Sequence, residues 1–208
     1  MATVDRGQKL LSELRHYAGG SAPFVKRIGA ETLAEVVRVT CLGRREDIRC
    51  HLNIDPHLAD VEMDGGWLYN ILRRLYDNAA EAMPKGGDLF IEVKNHHTSR
   101  HQQQKRKESI KSHIRLKFRD TGQGIAPEIL TRIFDPFYTT KPSKIHSGLG
   151  LAVVDGLLQT TGGRIRVDSK PGQGATFTVD LPAAENVGGR LNALPVEAHE
   201  AIENIGRG

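Results

Sequence analysis

The sequence predicts an α+β fold in which a mixed β-sheet packs against a layer of helices. The chain has 208 residues, 38% of them hydrophobic, which is enough to form one sizeable core. Helical and strand-like patterns follow one another in mixed order, and no repeated strand–helix–strand unit is visible. Apolar spacing over residues 4–18 also predicts one amphipathic helix ahead of this core.

The elements of the core follow from hydrophobic periodicity and from the residues that interrupt it. The longest helix is expected to begin after Asp64, an N-cap residue, and to end at Pro84 and the glycines after it. Shorter helices are expected over residues 31–41, 127–134 and 149–161. Alternating apolar residues predict strands over 48–54, 88–93, 113–118, 164–168 and 175–181.

The positive charge of the chain is concentrated in one segment. The net charge of +4 and the pI near 9.1 would be compatible with nucleic-acid binding. Residues 94–113, however, hold six Lys or Arg and one acidic residue, so the rest of the chain is close to neutral. We therefore expect no nucleic-acid partner. The segment is interpreted as a mobile, solvated insertion between two strands, with docking to an acidic partner as the alternative.

Composition also bears on the compartment. No stretch approaches the roughly 18 apolar residues of a membrane helix, and the first residues lack the pattern of a secretory signal. The two cysteines, Cys41 and Cys50, lack metal-ligand spacing and are too few for a disulfide scaffold. We expect no membrane contact by this segment and a cytoplasmic location.

Three segments place polar residues and glycines where packing alone does not need them. Asn78 lies inside the longest predicted helix, where Asn has poor propensity. Asp120 ends a predicted strand and is followed by alternate glycines, whereas Gly148 and Gly150 open a helix whose free N–H groups favour phosphate. Each feature alone also fits a solvent-facing residue, an ordinary turn or a simple helix start. Together, in this order, they indicate a binding site.

These segments resemble the ATP-binding catalytic domain of sensor histidine kinases, within the gyrase, Hsp90, histidine kinase and MutL ATPase superfamily. The resemblance runs from about residue 30 to Pro182 and preserves the order of the motifs. It covers the N box, the G1 box, the F box, the G2 box and the closing strand, at residues 75–82, 120–124, 133–141, 148–152 and 172–182. The F box is most similar to the nitrogen-regulation and PAS-linked branch.

The resemblance implies a two-layer α/β sandwich of the Bergerat type that holds ATP and Mg²⁺ under a lid at about residues 136–148. It implies that Asn78 binds Mg²⁺ and that Asp120 accepts a hydrogen bond from the adenine amino group. Lys141 would supply positive charge to the triphosphate, or else is a solvated lysine. Contact with the nucleotide is further implied for Gly122, Gly124, Gly148, Leu149 and Gly150.

Two residues depart from the family pattern. Arg74 lies one helical turn before Asn78, where the superfamily ATPases carry a water-activating glutamate and histidine kinases usually carry Asn, Glu or His. A guanidinium does not act as a general base, so autonomous ATP hydrolysis is disfavoured. Arg74 would instead contact phosphate or repel Mg²⁺. His146 stands where the G2 box often begins with glycine, which bears on lid geometry.

The implied function is transfer of the γ-phosphoryl group of ATP to a histidine outside this chain, because neither His16 nor His199 has the family's acceptor context. Residues 1–20 resemble the second dimerisation helix, which would allow a homodimer, and residues 183–208 are expected to form a flexible tail. The implied partners are a phosphoacceptor dimerisation domain and a response regulator. The alternatives are a non-catalytic nucleotide-binding regulatory module and a serine kinase of the anti-sigma-factor type. A DNA-repair clamp ATPase is disfavoured by Arg74.

Overall fold

The computed structural model describes residues 25–41, 45–97, 112–140 and 147–184 of the chain. These residues form a five-stranded sheet with helices packed on one face, together with a two-stranded sheet. The predicted two-layer α+β class is therefore confirmed. The strands are β1 (Lys26–Ile28), β2 (Ile48–Ile54), β3 (Val61–Met63), β4 (Gly87–His97), β5 (Ser112–Asp120), β6 (Arg164–Ser169) and β7 (Ala175–Pro182). The helices are α1 (Ala30–Cys41), α2 (Gly65–Ala82), α3 (Pro127–Leu130) and α4 (Gly150–Thr160).

The larger sheet has the strand order β2–β4–β5–β7–β6, with β5 at its centre. Strands β2 and β4 are parallel, and all other neighbours are antiparallel. Along β5, Leu116 and Phe118 are buried under the helices, whereas Lys117 and Arg119 are exposed on the outer face. Asp120 continues the inner series, so the central strand ends with a carboxylate beneath the helical layer.

Helix α2 begins where the sequence predicts. The carboxylate of Asp64 accepts hydrogen bonds from the backbone N–H groups of Gly66 (2.8 Å) and Trp67 (3.1 Å), which satisfies donors that the first helical turn leaves open. One face of the helix is buried in the core, through Leu68, Ile71, Leu72, Leu75, Tyr76, Ala79 and Ala80. The opposite face is left to line a cavity.

The short helix α3 ends earlier than the sequence predicts. Its start at Pro127 is as expected, but α-helical structure stops at Leu130 instead of residue 134. The backbone N–H groups of Arg132, Asp135 and Tyr138 each donate to the carbonyl three residues earlier, so the chain continues as tight turns. No residue of α3 is fully buried, whereas Ile133 and Phe134 in the turns after it pack against the core.

The paired backbone extends beyond both ends of the range expected for the domain. Strands β1 and β3 pair antiparallel, and Arg27 forms an ion pair of 2.6 Å with Asp60 beside them. At the other end, Ala183 bridges to Val61, and the N–H of Ala184 donates to the carbonyl of Asp60 (2.7 Å). Such short strands carry no recognisable periodicity, which is why the sequence did not predict them.

The strands that flank the basic segment are longer than predicted. β4 runs to His97 and β5 starts at Ser112, so that both ends of the 94–113 segment belong to the sheet. The side chain of Asn95 donates to the carbonyl of His57 (2.7 Å) and accepts from the N–H of Ala59 (2.8 Å). These contacts tie the extended hairpin to the loop before β3.

Several predictions concern residues outside the described ranges. These are the helix at residues 4–18, the central part of the basic segment (98–111), Lys141 and His146 in the lid, and the tail from residue 185 onward. Among the described residues, no helix combines the length and hydropathy that would let it cross a bilayer.

Candidate functional site

A cavity of about 390 Å³ lies between α2, the end of β5, the turns after α3 and the start of α4. Six of the predicted site residues line it: Arg74, Asn78, Asp120, Gly124, Gly148 and Gly150. Gly122 and Leu149 are set behind its wall, and Lys141 lies outside the described residues. The six residues come from three segments of the sequence, which therefore meet in one place.

Asp120 is held rigidly at the inner end of the cavity. Its side chain is almost fully enclosed, and Oδ1 accepts hydrogen bonds from the backbone N–H groups of Gly122 (2.8 Å) and Ala175 (3.2 Å). Burial raises the pKa of this carboxyl, and the backbone hydrogen bonds only partly offset that effect. No described residue donates to Oδ2. The second oxygen is therefore left for a ligand.

Glycines form the loop around Asp120 because backbone from three segments converges there. A Cβ atom on Gly122 would lie 2.6 Å from the carbonyl oxygen of Ala82, and one on Gly174 would lie 2.0 Å from the carbonyl oxygen of Asp120. Gly124 has φ +71°, and a Cβ there would meet the carbonyl oxygen of Lys170 at 2.1 Å. A larger residue at any of these positions would force the surrounding backbone apart.

The exposed face of α2 forms one long wall of the cavity. Residues 74, 77, 78, 81 and 82 of this helix line it, at the spacing of a single helical face. The amide nitrogen Nδ2 of Asn78 is buried and has no hydrogen-bond partner among the described residues. A buried polar group without a partner is costly, so the amide is expected to be satisfied by a ligand.

The outer rim of the cavity brings residues 137 and 148 together. Gly148 has φ +69°, and a Cβ atom on it would lie 2.5 Å from the carbonyl carbon of Phe137. Phe137 itself has φ +66°, which is rare for an aromatic residue, and its side chain is half exposed. Next to it, Tyr138 lines the cavity, and the guanidinium of Arg132 lies 4.3 Å from the centre of its ring.

The start of α4 faces the same cavity. Gly150 is its first residue, the N-cap Leu149 offers no side-chain hydrogen bond, and the first turn has no acidic residue. Backbone N–H groups and the positive end of the helix dipole are thus not neutralised within the helix. Arg74 of α2 lies beside this point, with Nη1 3.7 Å from the position of a Cβ atom on Gly150.

Sequence reasoning named as site residues six of the 20 residues that line the cavity. Asp77 and Glu81 lie three and seven residues after Arg74, and this helical spacing could have placed them on the same wall. Phe177 and Ala175 come from β7, which reaches the cavity only through sheet pairing, so no local signal marks them. The apolar part of the wall also includes Ile125, Ile129, Ile133 and Leu151.

A metal site built only from protein side chains is absent from the described residues. No group of three or more His, Cys, Asp and Glu residues is arranged there to hold an ion. Asn78 offers a single amide to the cavity. That donor set fits a hard cation such as Mg²⁺, which retains water and takes its remaining ligands from bound phosphates.

Residues 63–185 match the family described as histidine kinase-, DNA gyrase B- and HSP90-like ATPases. The match covers more than half of the chain and includes every part of the cavity wall.

Curated relatives and a solved structure agree with this match. The chain is 34% identical to the sensor kinase CckA of Brucella abortus over 146 residues, which is 66% of this chain and 15% of that protein. It is 35% identical to the sensor histidine kinase ZraS of Salmonella typhimurium over 140 residues, 67% of this chain and 27% of that protein. A crystal structure of full-length ShkA in complex with AMPPNP superposes with a TM-score of 0.62 at 26% identity, covering 89% of this chain and 38% of that one. The chain thus spans less than a third of the length of these two curated relatives.

Proposed function

Because the chain belongs to the histidine kinase-, DNA gyrase B- and HSP90-like ATPase family, we propose that it is the ATP-binding catalytic domain of a two-component sensor histidine kinase. The observation that carries this proposal is one cavity that contains a buried carboxylate with an open oxygen at one end and the start of a helix at the other, with one face of α2 between them. That arrangement suits a ligand with a hydrogen-bonding base and a phosphate chain. Its sensor-kinase relatives and the AMPPNP complex of ShkA support the choice of ATP.

Asp120 is the proposed adenine-reading residue. Its Oδ1 is occupied by two backbone donors, so Oδ2 is the oxygen that would accept a hydrogen bond from the adenine amino group. In a buried site, a base without that donor would leave the carboxylate oxygen unpaired, which is costly. The loop with Gly122 and Gly124 keeps the carboxylate in this orientation.

Asn78 is the proposed ligand for Mg²⁺. Its Oδ1 is the atom that would bind the ion, whereas the buried Nδ2, which has no hydrogen-bond partner among the described residues, would donate to a phosphate oxygen. When bound, the ion would bridge phosphate oxygens and neutralise their charge. The chain's own contribution is to hold the amide at that point, between the adenine end and the start of α4.

The triphosphate is proposed to lie against the start of α4. Gly148, Leu149 and Gly150 bring the backbone close to the cavity, and the N–H groups of the helix start favour an anion there. Lys141 is proposed to add positive charge from the lid.

The proposed reaction is an in-line phosphoryl transfer. A histidine nitrogen of the partner domain forms a bond to the γ-phosphorus while the bond between the γ-phosphorus and the β–γ bridging oxygen breaks. The electron pair of the broken bond stays on that oxygen, which leaves as part of ADP. The proton on the attacking imidazole passes to a base supplied beside the acceptor, because Arg74 cannot take it. This chain orients the nucleotide and encloses it.

The acceptor is proposed to lie on a dimerisation domain, and the phosphoryl group is then passed to a response regulator. A homodimer through residues 1–20 is part of the same proposal. The reduced thiols of Cys41 and Cys50 and the use of ATP suit the cytoplasm, which is the proposed location.

The test combines nucleotide binding with transfer. Binding of ATP is measured by calorimetry for the wild type, for Asp120→Asn and for Asp168→Asn, an exposed aspartate on the outer side of β6. The Asp120→Asn variant keeps an oxygen for Gly122 and Ala175 but places an NH₂ donor opposite the adenine amino group. ATP affinity should fall about 10- to 100-fold in that variant and stay unchanged in the control.

Transfer is followed with γ-labelled ATP and an isolated dimerisation domain of a related sensor kinase. Acid-labile label on a histidine of that domain is the expected result. Nucleotide binding without any transfer would favour the non-catalytic regulatory module, and acid-stable label on serine would favour the serine kinase. Equal ATP affinity in both aspartate variants would contradict the site assignment.

A further inference from the structure

Arg74 lines the cavity about two helical turns along α2 from the end that holds Asp120. Helix α2 runs along the cavity wall: its last residue, Ala82, accepts a hydrogen bond from the N–H of Gln123 (3.1 Å) in the loop after Asp120. Arg74 precedes Ala82 by eight positions, which is about 12 Å along the helix axis. A nucleotide with its base at Asp120 therefore extends its phosphate chain toward Arg74.

Two positive groups meet at this point of the cavity. The Nη1 atom of Arg74 lies close to the first residue of α4, Gly150, where the helix dipole is positive and no acidic side chain of the first turn offsets it. A guanidinium beside a helix start creates a positive potential that favours an anion at this point. Arginine binds phosphate oxygens through two parallel N–H donors, so a phosphate is the anion that fits this point best.

We propose that Arg74 recognises the terminal phosphate of ATP and makes the site distinguish ATP from ADP. This inference rests on the proposed function, since it requires an adenine nucleotide in the cavity. The α- and β-phosphates are common to both nucleotides, whereas only ATP places a phosphate beyond them. A positive side chain at the terminal phosphate therefore adds affinity for ATP alone.

A second consequence concerns Mg²⁺. The guanidinium supplies at the terminal phosphate part of the positive charge that a bound cation otherwise provides. Because Arg74 is one helical turn from Asn78, both groups act on the same part of the phosphate chain. The preference for ATP over ADP should therefore persist when Mg²⁺ is removed by EDTA, and it should then depend more strongly on Arg74.

The test measures dissociation constants of ATP and ADP, each with Mg²⁺ and with EDTA. In Arg74→Gln, ATP affinity should fall about 10- to 100-fold, whereas ADP affinity should change less than about twofold. Arg74→Lys keeps the charge and should retain part of the ATP preference. Arg38→Gln on α1 is the matched control, because Arg38 is exposed, lies 3.6 Å from Glu35 of the same helix and does not line the cavity.

The outcomes separate this inference from the proposed function. If the wild type binds neither nucleotide, the proposed function fails. If it binds both, and Arg74→Gln weakens ATP and ADP equally or strengthens ATP, only the role of Arg74 is overturned. Thermal melting of each variant without nucleotide verifies folding. If Arg74→Gln does not fold, the ATP and ADP affinities of Arg74→Lys test the role of Arg74.

Discussion

Two buried aspartates lie on neighbouring central strands, on opposite faces of the sheet, and their surroundings differ. Asp120 on β5 is 3% exposed and Asp180 on β7 is 4% exposed. On the outer face, Asp180 is bound by Arg115 (2.6 and 3.0 Å) and by Arg166 (3.0 Å). On the inner face, Asp120 receives only backbone donors, both on one oxygen.

The difference appears in the acidity of the two groups. Burial would raise the pKa of Asp180, but hydrogen bonds and charge from Arg115 and Arg166 outweigh it, and the pKa lies below its usual range. Burial dominates at Asp120 and raises its pKa. The buried carboxylate of Asp180, which has cationic partners, thus stabilises the fold. The buried carboxylate of Asp120 lowers stability and leaves one oxygen open to a ligand.

The largest effect is expected on the outer face. Asp180→Ala removes the partner of Arg115, which is mostly buried, and should lower the free energy of unfolding by about 2–4 kcal/mol. ATP affinity should stay within about twofold, because Asp180 does not line the cavity. Urea denaturation and calorimetry measure the two quantities, with Asp168→Ala as the exposed control. A loss of ATP affinity without a loss of stability would contradict the assignment of stabilisation to the outer face and nucleotide binding to the inner face.

A rim glycine should affect both quantities. Gly148→Ala forces a Cβ atom into contact with the backbone of Phe137 at a positive φ, so we expect a loss of about 1–2 kcal/mol of stability and about tenfold weaker ATP binding. Gly156→Ala, in the middle of α4 with no atom nearby, should instead add about 0.5–1 kcal/mol. Urea denaturation measures the stability of both variants, and calorimetry measures their ATP affinity. Similar behaviour of the two variants would refute the role of the rim.

Asp120→Asn should move stability and binding in opposite directions. A folded-state pKa above the unfolded value means that ionisation opposes folding, so the cost is present at neutral pH and disappears below about pH 3.9, where the unfolded carboxyl is protonated. The neutral amide should raise the melting temperature by about 1–3 °C at pH 7 and leave it unchanged at pH 3. A lower melting temperature at pH 7 would mean that the open oxygen has a structural partner.

The smallest effect is expected at Asp88 on the outer face. The side chains of Arg49 (2.9 and 2.7 Å) and His51 (2.7 Å) hold the pKa of this carboxyl well below its usual range. Such a group stabilises the fold above its unfolded pKa, and this contribution is lost as the pH falls toward the folded value. In Asp88→Asn, stability should therefore change less between pH 5 and pH 2 than in the wild type, as followed by circular dichroism. An unchanged acid profile would exclude this contribution.

Local signals account for what could be predicted from the sequence. β2 has the predicted bounds and α2 the predicted start, because alternation and an N-cap are properties of neighbouring residues. Asn78, Asp120 and Gly150 meet in one cavity because the motif order reflects a shared fold. The predicted roles of these residues stay predictions, as does the resemblance to the PAS-linked branch.

The remaining features depend on pairing between distant segments. β1 and β3 have three residues each, and only their mutual pairing makes them strands. Phe177 reaches the cavity wall through the register of β7 with β5, and nothing near it in the sequence indicates that position. Pro127 marks the start of α3, but after Leu130 the chain forms turns from which Ile133 and Phe134 pack against the core, and no local pattern indicates these contacts.

The length of the β4–β5 hairpin has a practical consequence. Its register runs from Leu89 opposite Asp120 to His97 opposite Ser112, so the two ends of the pairing are roughly 27 Å apart. The basic insertion leaves the sheet at the end remote from the nucleotide cavity. An affinity tag or reporter domain inserted between residues 97 and 112 could therefore be used to immobilise the protein while nucleotide exchange is measured at the cavity, at the opposite end of the hairpin.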